Sequence, residues 1–89
     1  MEHEYIIGHK ATLAYAGAII SNTEPSTDQI KIIGSGKNIV KAIDVALIVA
    51  QQIKILKILK IDLTARELVN RKEQPITISA IKITLGRGN

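Results

Sequence analysis

Apolar positions in this chain first run consecutively, then recur every three to four residues, and this strand-then-helix sequence repeats before the pattern settles into strands alone. Tyr5-Ile6-Ile7-Gly8 is a short apolar run closed by glycine and predicts a first strand. Over residues 10–20, Leu13, Ala16, Gly17 and Ile20 recur at spacings of three and four, predicting a helix with a buried stripe of small residues. The polar cluster over residues 21–28, with Pro25 in its middle, stops that helix in a loop. Residues 29–33 predict a second strand, ended by Gly34-Ser35-Gly36. A second helix follows from residue 37 to residue 52 or 53, with Ile39, Ile43, Ala46, Ala50 and Ile53 as its inner stripe. Val45 and Val49 lie off that stripe. They read either as a contact with a second copy or as the flank of a wide stripe on a broad sheet.

From Ile61 the chain alternates: Ile61, Leu63 and Ala65 against Asp62, Thr64 and Arg66, the mark of a strand with one wet face. The polar stretch Asn70-Arg71-Lys72-Glu73-Gln74-Pro75 has no apolar anchor and predicts a hairpin tip. The last strand, residues 76–85, changes parity between Ile78 and Ile81, which predicts a β-bulge near Ser79-Ala80. Residues 86–89 read as a frayed tail. The order is β-α-β-α-β-β, and the expected fold is α+β: one domain over residues 1–89, a two-layer sandwich. Parallel neighbouring strands carry both helices on one face, and a long C-terminal β-hairpin projects from it.

Composition sharpens this picture. Hydrophobic residues make up 46% of the chain, yet Tyr5 and Tyr15 are its only aromatics, so the core must be aliphatic. A domain this small buries only about 60% of its unfolded surface, and with no cysteine it has no disulfide or thiolate site to compensate. Burying a further apolar face against a copy of itself is the natural remedy. The net charge of +4 favours a polyanionic partner. The acidic start Met1-Glu2-His3-Glu4 lacks the features of a signal peptide, and the apolar stretch at residues 42–50 is short and interrupted by Asp44. A cytoplasmic protein without a membrane partner is expected.

Gly34-Ser35-Gly36-Lys37 invites a nucleotide-binding reading, but Lys31 stands where a P-loop needs its first glycine and Asn38 where it needs Ser or Thr. A dinucleotide fingerprint fails at Ile39. What survives is a glycine-rich turn opening a helix, which offers backbone N–H groups and a positive dipole end to phosphate. Lys37 lies in the first turn and Lys41 one turn later on the same face. A plain strand-to-helix turn with solvated lysines would read the same on periodicity alone. Gly8-His9-Lys10 is a second turn of this kind, and parallel strands bring both turns to one edge. Arg66, Arg71 and Lys72 give the hairpin a cationic arm of the type that enters minor grooves, although exposed loops are commonly charged and Glu67 and Glu73 dilute the effect. His3 and His9 have no metal-ligand spacing, and no carboxylate pair or nucleophile suggests catalysis, so neither cofactor nor enzyme activity is expected. Asp44 reads as an ion-pair partner of Lys41 on the helix surface. Aromatic stacking platforms are absent, so phosphate contacts would have to supply the affinity.

With those residues assembled, the chain resembles the Alba (Sac10b) family of archaeal chromatin proteins over about residues 5–85. Gly36-Lys37-Asn38-Ile39-Val40-Lys41-Ala42-Ile43-Asp44 is close to the family's pattern of glycine, a basic residue, isoleucine, lysine, alanine, an aliphatic residue and aspartate. Ile6-Ile7-Gly8-His9-Lys10 is similar to its aliphatic-Gly-Lys-Lys segment. The resemblance implies a fold like the C-terminal domain of a bacterial translation initiation factor and a homodimer with a central basic body between two hairpin arms. It also implies chromosome-associated binding of double-stranded DNA with little sequence preference, or of RNA; the wider superfamily includes subunits of ribonuclease P. By the resemblance, Lys10, Lys37 and Lys41 contact phosphates, Gly36 permits close approach, and Ser35 and Asn38 share that turn with them. Arg66, Arg71 and Lys72 serve the arm. Two positions depart from the pattern. His9 replaces the lysine whose acetylation weakens DNA binding in some members, and Ser35 stands where a basic residue is common. Fewer cations point to weaker binding at neutral pH, and to RNA or a second Alba chain as alternative partners.

Overall fold

The computed structural model describes residues 2–88. Strand β1 is Glu2–Ile6, helix α1 Thr12–Asn22, strand β2 Gln29–Ser35, and a 3-10 turn Gly36–Asn38 leads into helix α2, Ile39–Gln52. Strands β3, Leu56–Val69, and β4, Pro75–Arg87, complete the α+β sandwich in the expected order. Both helices begin about two residues later than periodicity alone predicts. The sheet runs β1-β2-β4-β3, with β1 and β2 parallel and β4 antiparallel to both its neighbours. The second strand-helix-strand unit therefore does not place β3 beside β2: the hairpin folds back and inserts β4 between them.

One face of the sheet carries the core. Ile30 and Ile32 of β2 pair with Leu85 and Ile83 of β4, and all four are buried beneath Ala16 and Ile19 of α1 and Ala42, Val45, Ala46 and Val49 of α2. The inner stripe of α2 is thus rotated from the expected one. Ala46 remains central and Ile39, Ala50 and Ile53 are partly buried, but Ile43 is exposed, and Val45 and Val49 are fully buried. The broad-sheet reading of the two valines is the right one, and they cannot form a contact with a second copy. The cause is close packing: a Cβ at Gly34 would lie 2.6 Å from the Asn38 carbonyl oxygen and 2.7 Å from Ala42 Cβ, so α2 meets β2 through its alanines. Helix α1 is rotated likewise, burying Ala16 and Ile19 while Leu13 and Gly17 are exposed.

The bulge also sits elsewhere. Ser79 and Ala80 pair regularly with Ala65 and Thr64, and the register shift falls on β3 between Ile58 and Lys60, leaving Leu59 unpaired. Nor is the tail frayed at residue 86. Gly86 pairs with both Gln29 and Lys57, and the Arg87 guanidinium donates to the Pro25 and Thr27 carbonyls. The last tail residue, Asn89, lies outside the described residues.

Strand β2 stops pairing at Ser35, opposite Ala80. Beyond that point β3 and β4 have only each other, for five further pairs from Ala65 with Ser79 to Val69 with Pro75. At about 3.3 Å per residue this two-stranded arm projects by ~17 Å before its tip. The protomer accordingly measures 47 × 25 × 19 Å, with a radius of gyration of 14.1 Å against about 12 Å for a compact chain of this length.

Candidate nucleic-acid interface

Parallel pairing of β1 and β2 aligns their C-terminal ends, Ile6 opposite Ile33, and the Ile7 N–H extends the pairing to the Ile33 carbonyl at 2.8 Å. The β1–α1 turn, carrying His9 and Lys10, and the β2–α2 turn, carrying Ser35, Gly36, Lys37 and Asn38, therefore share one end of the sheet. The arm leaves from that same end, since Ser35 is opposite the last body residue of β4. His9, Lys10, Gly36 and Lys37 are exposed, and Ser35, Asn38 and Lys41 are half-buried. Gly36 has φ of +54°, in the left-handed region, and a Cβ there would approach Ile78 Cγ2 to 3.2 Å. Glycine lets this turn double back against the root of the arm.

Arg66 lies in the arm, two pairs beyond the body, and its side chain reaches back: Nη1 donates to Ser35 Oγ at 3.3 Å. Ser35 is thus joined to a guanidinium from another strand, which brings positive charge to the turn. Arg71 and Lys72 stand apart from this group at the exposed tip. That tip is built by Asn70, whose Oδ1 accepts from the Lys72 N–H at 2.9 Å and the Gln74 N–H at 3.0 Å, while its own N–H donates to the Gln74 carbonyl. Glu73 takes the left-handed conformation that closes the turn, with φ of 58°.

The ammonium of Lys41 turns away from Asp44 and donates to the carbonyls of Gly8, at 2.9 Å, and Lys10, at 2.8 Å. The expected helix-surface ion pair is not formed. Opposite it, the Tyr15 hydroxyl oxygen accepts from the Gly8 N–H at 2.8 Å and the Lys10 N–H at 3.4 Å. Tyr15 was not singled out by sequence reasoning. Its signal was available, because a tyrosine next to the buried stripe of a helix needs a partner for its polar end.

The face of the sheet away from the helices is a different surface. Lys31, Lys60, Asp62 and Lys82 surround a shallow hollow of about 520 Å³. Lys31 pairs with Glu2 and Lys60 with Asp62 at 3.5 Å. The hydrogen bond to Lys31 holds the Glu2 carboxyl below its ordinary range and raises the Lys31 ammonium by the same contact. Lys31 and Lys60 are thus paired locally, whereas among the described residues Lys10 and Lys37 of the turns have no ion-pair partner.

The Alba family profile matches residues 3–65, spanning both turns and the root of the arm. The chain belongs to the Alba family. Alba from Thermoplasma volcanium is similar over 94% of this chain and 99% of its own, with 30% identity and a TM-score of 0.85. ALBA1 from Trypanosoma brucei shares the fold at 12% identity, with a TM-score of 0.68 over 97% of this chain and 69% of its own. Alba proteins are a nucleic-acid-binding, non-enzymatic family whose members form dimers.

Proposed function

We propose that this Alba protein binds double-stranded DNA or RNA without sequence preference, as a dimer that grips the phosphate backbone and helps to compact or coat the nucleic acid on the chromosome. The observation that carries this reading is the gathering of His9, Lys10, Lys37 and Arg66, from three separate segments, at the end of the sheet from which the arm departs. No acidic side chain lies in either turn (residues 7–11 and 35–38), so their charge is available to phosphates. Arg71 and Lys72, placed beyond the body on a two-stranded arm, would follow a groove adjacent to the phosphates held by the turns.

Fluorescence-anisotropy titrations against matched duplex DNA and structured RNA, each at several salt concentrations, test the reading. Log affinity should fall linearly with log salt by about 0.9 per phosphate contacted on duplex DNA. Lys10→Glu with Lys37→Glu should abolish binding at moderate salt, and His9→Lys should strengthen it several-fold and steepen the slope. Wild-type affinity in the double charge-reversal protein would place the interface elsewhere. The better ligand decides between a chromosomal role and the alternative, an RNA-binding subunit or chaperone in an RNA-processing particle.

A further inference from the structure

The β1–α1 turn is the less regular of the two cation-bearing turns, and its backbone is held from outside. At Gly8 and Lys10 both N–H groups donate to the Tyr15 hydroxyl of α1, and both carbonyls accept from the Lys41 ammonium of α2. Two residues, separated in sequence by His9 alone, thus have all four backbone polar groups paired with two side chains. Neither helix has a side-chain hydrogen bond at its N-cap. Gly8 fits the arrangement closely, since a Cβ there would lie 3.1 Å from the Tyr15 hydroxyl.

This geometry is at odds with Lys41 as a phosphate ligand. Two of its three N–H donors are directed at carbonyl oxygens 31 and 33 residues away in the chain, leaving one. Likewise the N–H groups of Gly8 and Lys10, which could have cradled a phosphate, already face a phenol oxygen. We infer that Tyr15 and Lys41 are positioning residues, a clamp that fixes the turn so that the side chains of His9 and Lys10 are presented to the backbone of the nucleic acid. The inference rests on the nucleic-acid-binding reading. It assigns the phosphate contacts of this turn to side chains only, and its affinity to preorganisation as much as to charge.

Tyr15→Phe separates the two contributions, because it deletes the acceptor and leaves every charge in place. It should weaken duplex-DNA binding about five-fold or more with an unchanged salt slope, and should speed amide hydrogen exchange at Gly8. Lys41→Met should weaken binding similarly, speed the same exchange, and flatten the slope by clearly less than Lys10→Met does. In the Tyr15→Phe/Lys10→Met double variant the tyrosine change should cost little further affinity, since the clamped cation is gone. Wild-type affinity in Tyr15→Phe would overturn the clamp. So would a Lys41→Met slope matching that of Lys10→Met with exchange at Gly8 unaltered. Absence of salt-dependent binding by the unaltered protein would instead remove the function and the clamp's purpose together, a result distinct from either.

Discussion

Gly34 and Gly36 are two residues apart at the end of β2 and do different work there. Gly34 is a matter of distance: a side chain would meet the Asn38 carbonyl and Ala42 Cβ inside contact range, and neither is a flexible group that can swing aside. Gly36 is a matter of conformation, with φ of +54° beside the root of the arm. Gly34→Ala should therefore destabilise the protein by about 1–3 kcal/mol, the usual range for overpacking, read as a lowered denaturation midpoint in urea. Gly36→Asn, which tolerates the left-handed region, should cost clearly less. If the two variants unfold at the same midpoint, the close approach of α2 to β2 is not what Gly34 provides. At this scale the sequence was only partly legible. The glycine-rich turns and their cations stood out because the residue types are unusual where they occur. The partners of Lys41 did not, because two carbonyls more than thirty residues away leave no trace in local spacing, and Asp44 at i+3 offered a simpler partner.

Strands β3 and β4 illustrate how an element's surroundings decide what a pattern means. Parity of the apolar residues changes twice along the hairpin, between Ile58 and Ile61 and between Ile78 and Ile81. At the first change both isoleucines must share the helix-bearing face, opposite the buried Leu85 and Ile83, so one residue, Leu59, is squeezed out as a bulge. At the second, β4 crosses from arm to body. Ile76 and Ile78 belong to the arm, which has no core beneath it, and they lie on the face opposite to Ile81 and Ile83 without any bulge. Sequence alone cannot tell these cases apart, because the difference is where the body ends. The rotation of α2 was hidden for a related reason: size favours Ile39 and Ile43 as its inward residues, whereas close helix–sheet contact at Gly34 brings Ala42 inward and leaves Ile43 exposed. The arm's independence from the body has a consequence. Asn70→Ala removes the acceptor for the Lys72 and Gln74 N–H groups, and should accelerate amide exchange at the tip while leaving the global unfolding free energy unchanged. A loss of more than about 1 kcal/mol, the worth of a typical hydrogen bond, would mean that arm and body fold as one cooperative unit.

For the whole molecule the decisive feature is apolar surface left uncovered. Strand β3 closes the sheet on the side that α2 does not reach fully. Ile61 and Leu63 pair with the core residues Ile83 and Ile81, and so lie on the helix-bearing face, yet they are 56% and 80% exposed. On the neighbouring helix, Val40, Ile43 and Leu47 form a second strip at spacings of three and four, exposed by 67%, 37% and 46%. Monomeric soluble proteins rarely expose contiguous apolar patches beyond a few hundred Å², and a stable interface needs about 800 Å² per partner. Two copies joined through these strips would cover the incomplete side of each sheet. They would also bring two sets of cationic turns and two arms into one particle, doubling the number of phosphates met and hence the steepness of the salt dependence. The protein should therefore sediment at twice its protomer mass of 9.7 kDa, and Leu47→Glu with Leu63→Glu should return it to the protomer mass. That double variant should lose nucleic-acid affinity and about half of the salt slope although no cation is altered, whereas Leu13→Glu, at an exposed leucine of α1 outside both strips, should change neither. A wild-type protein that sediments as a single protomer while binding with its full salt slope would show that these strips serve something other than self-association.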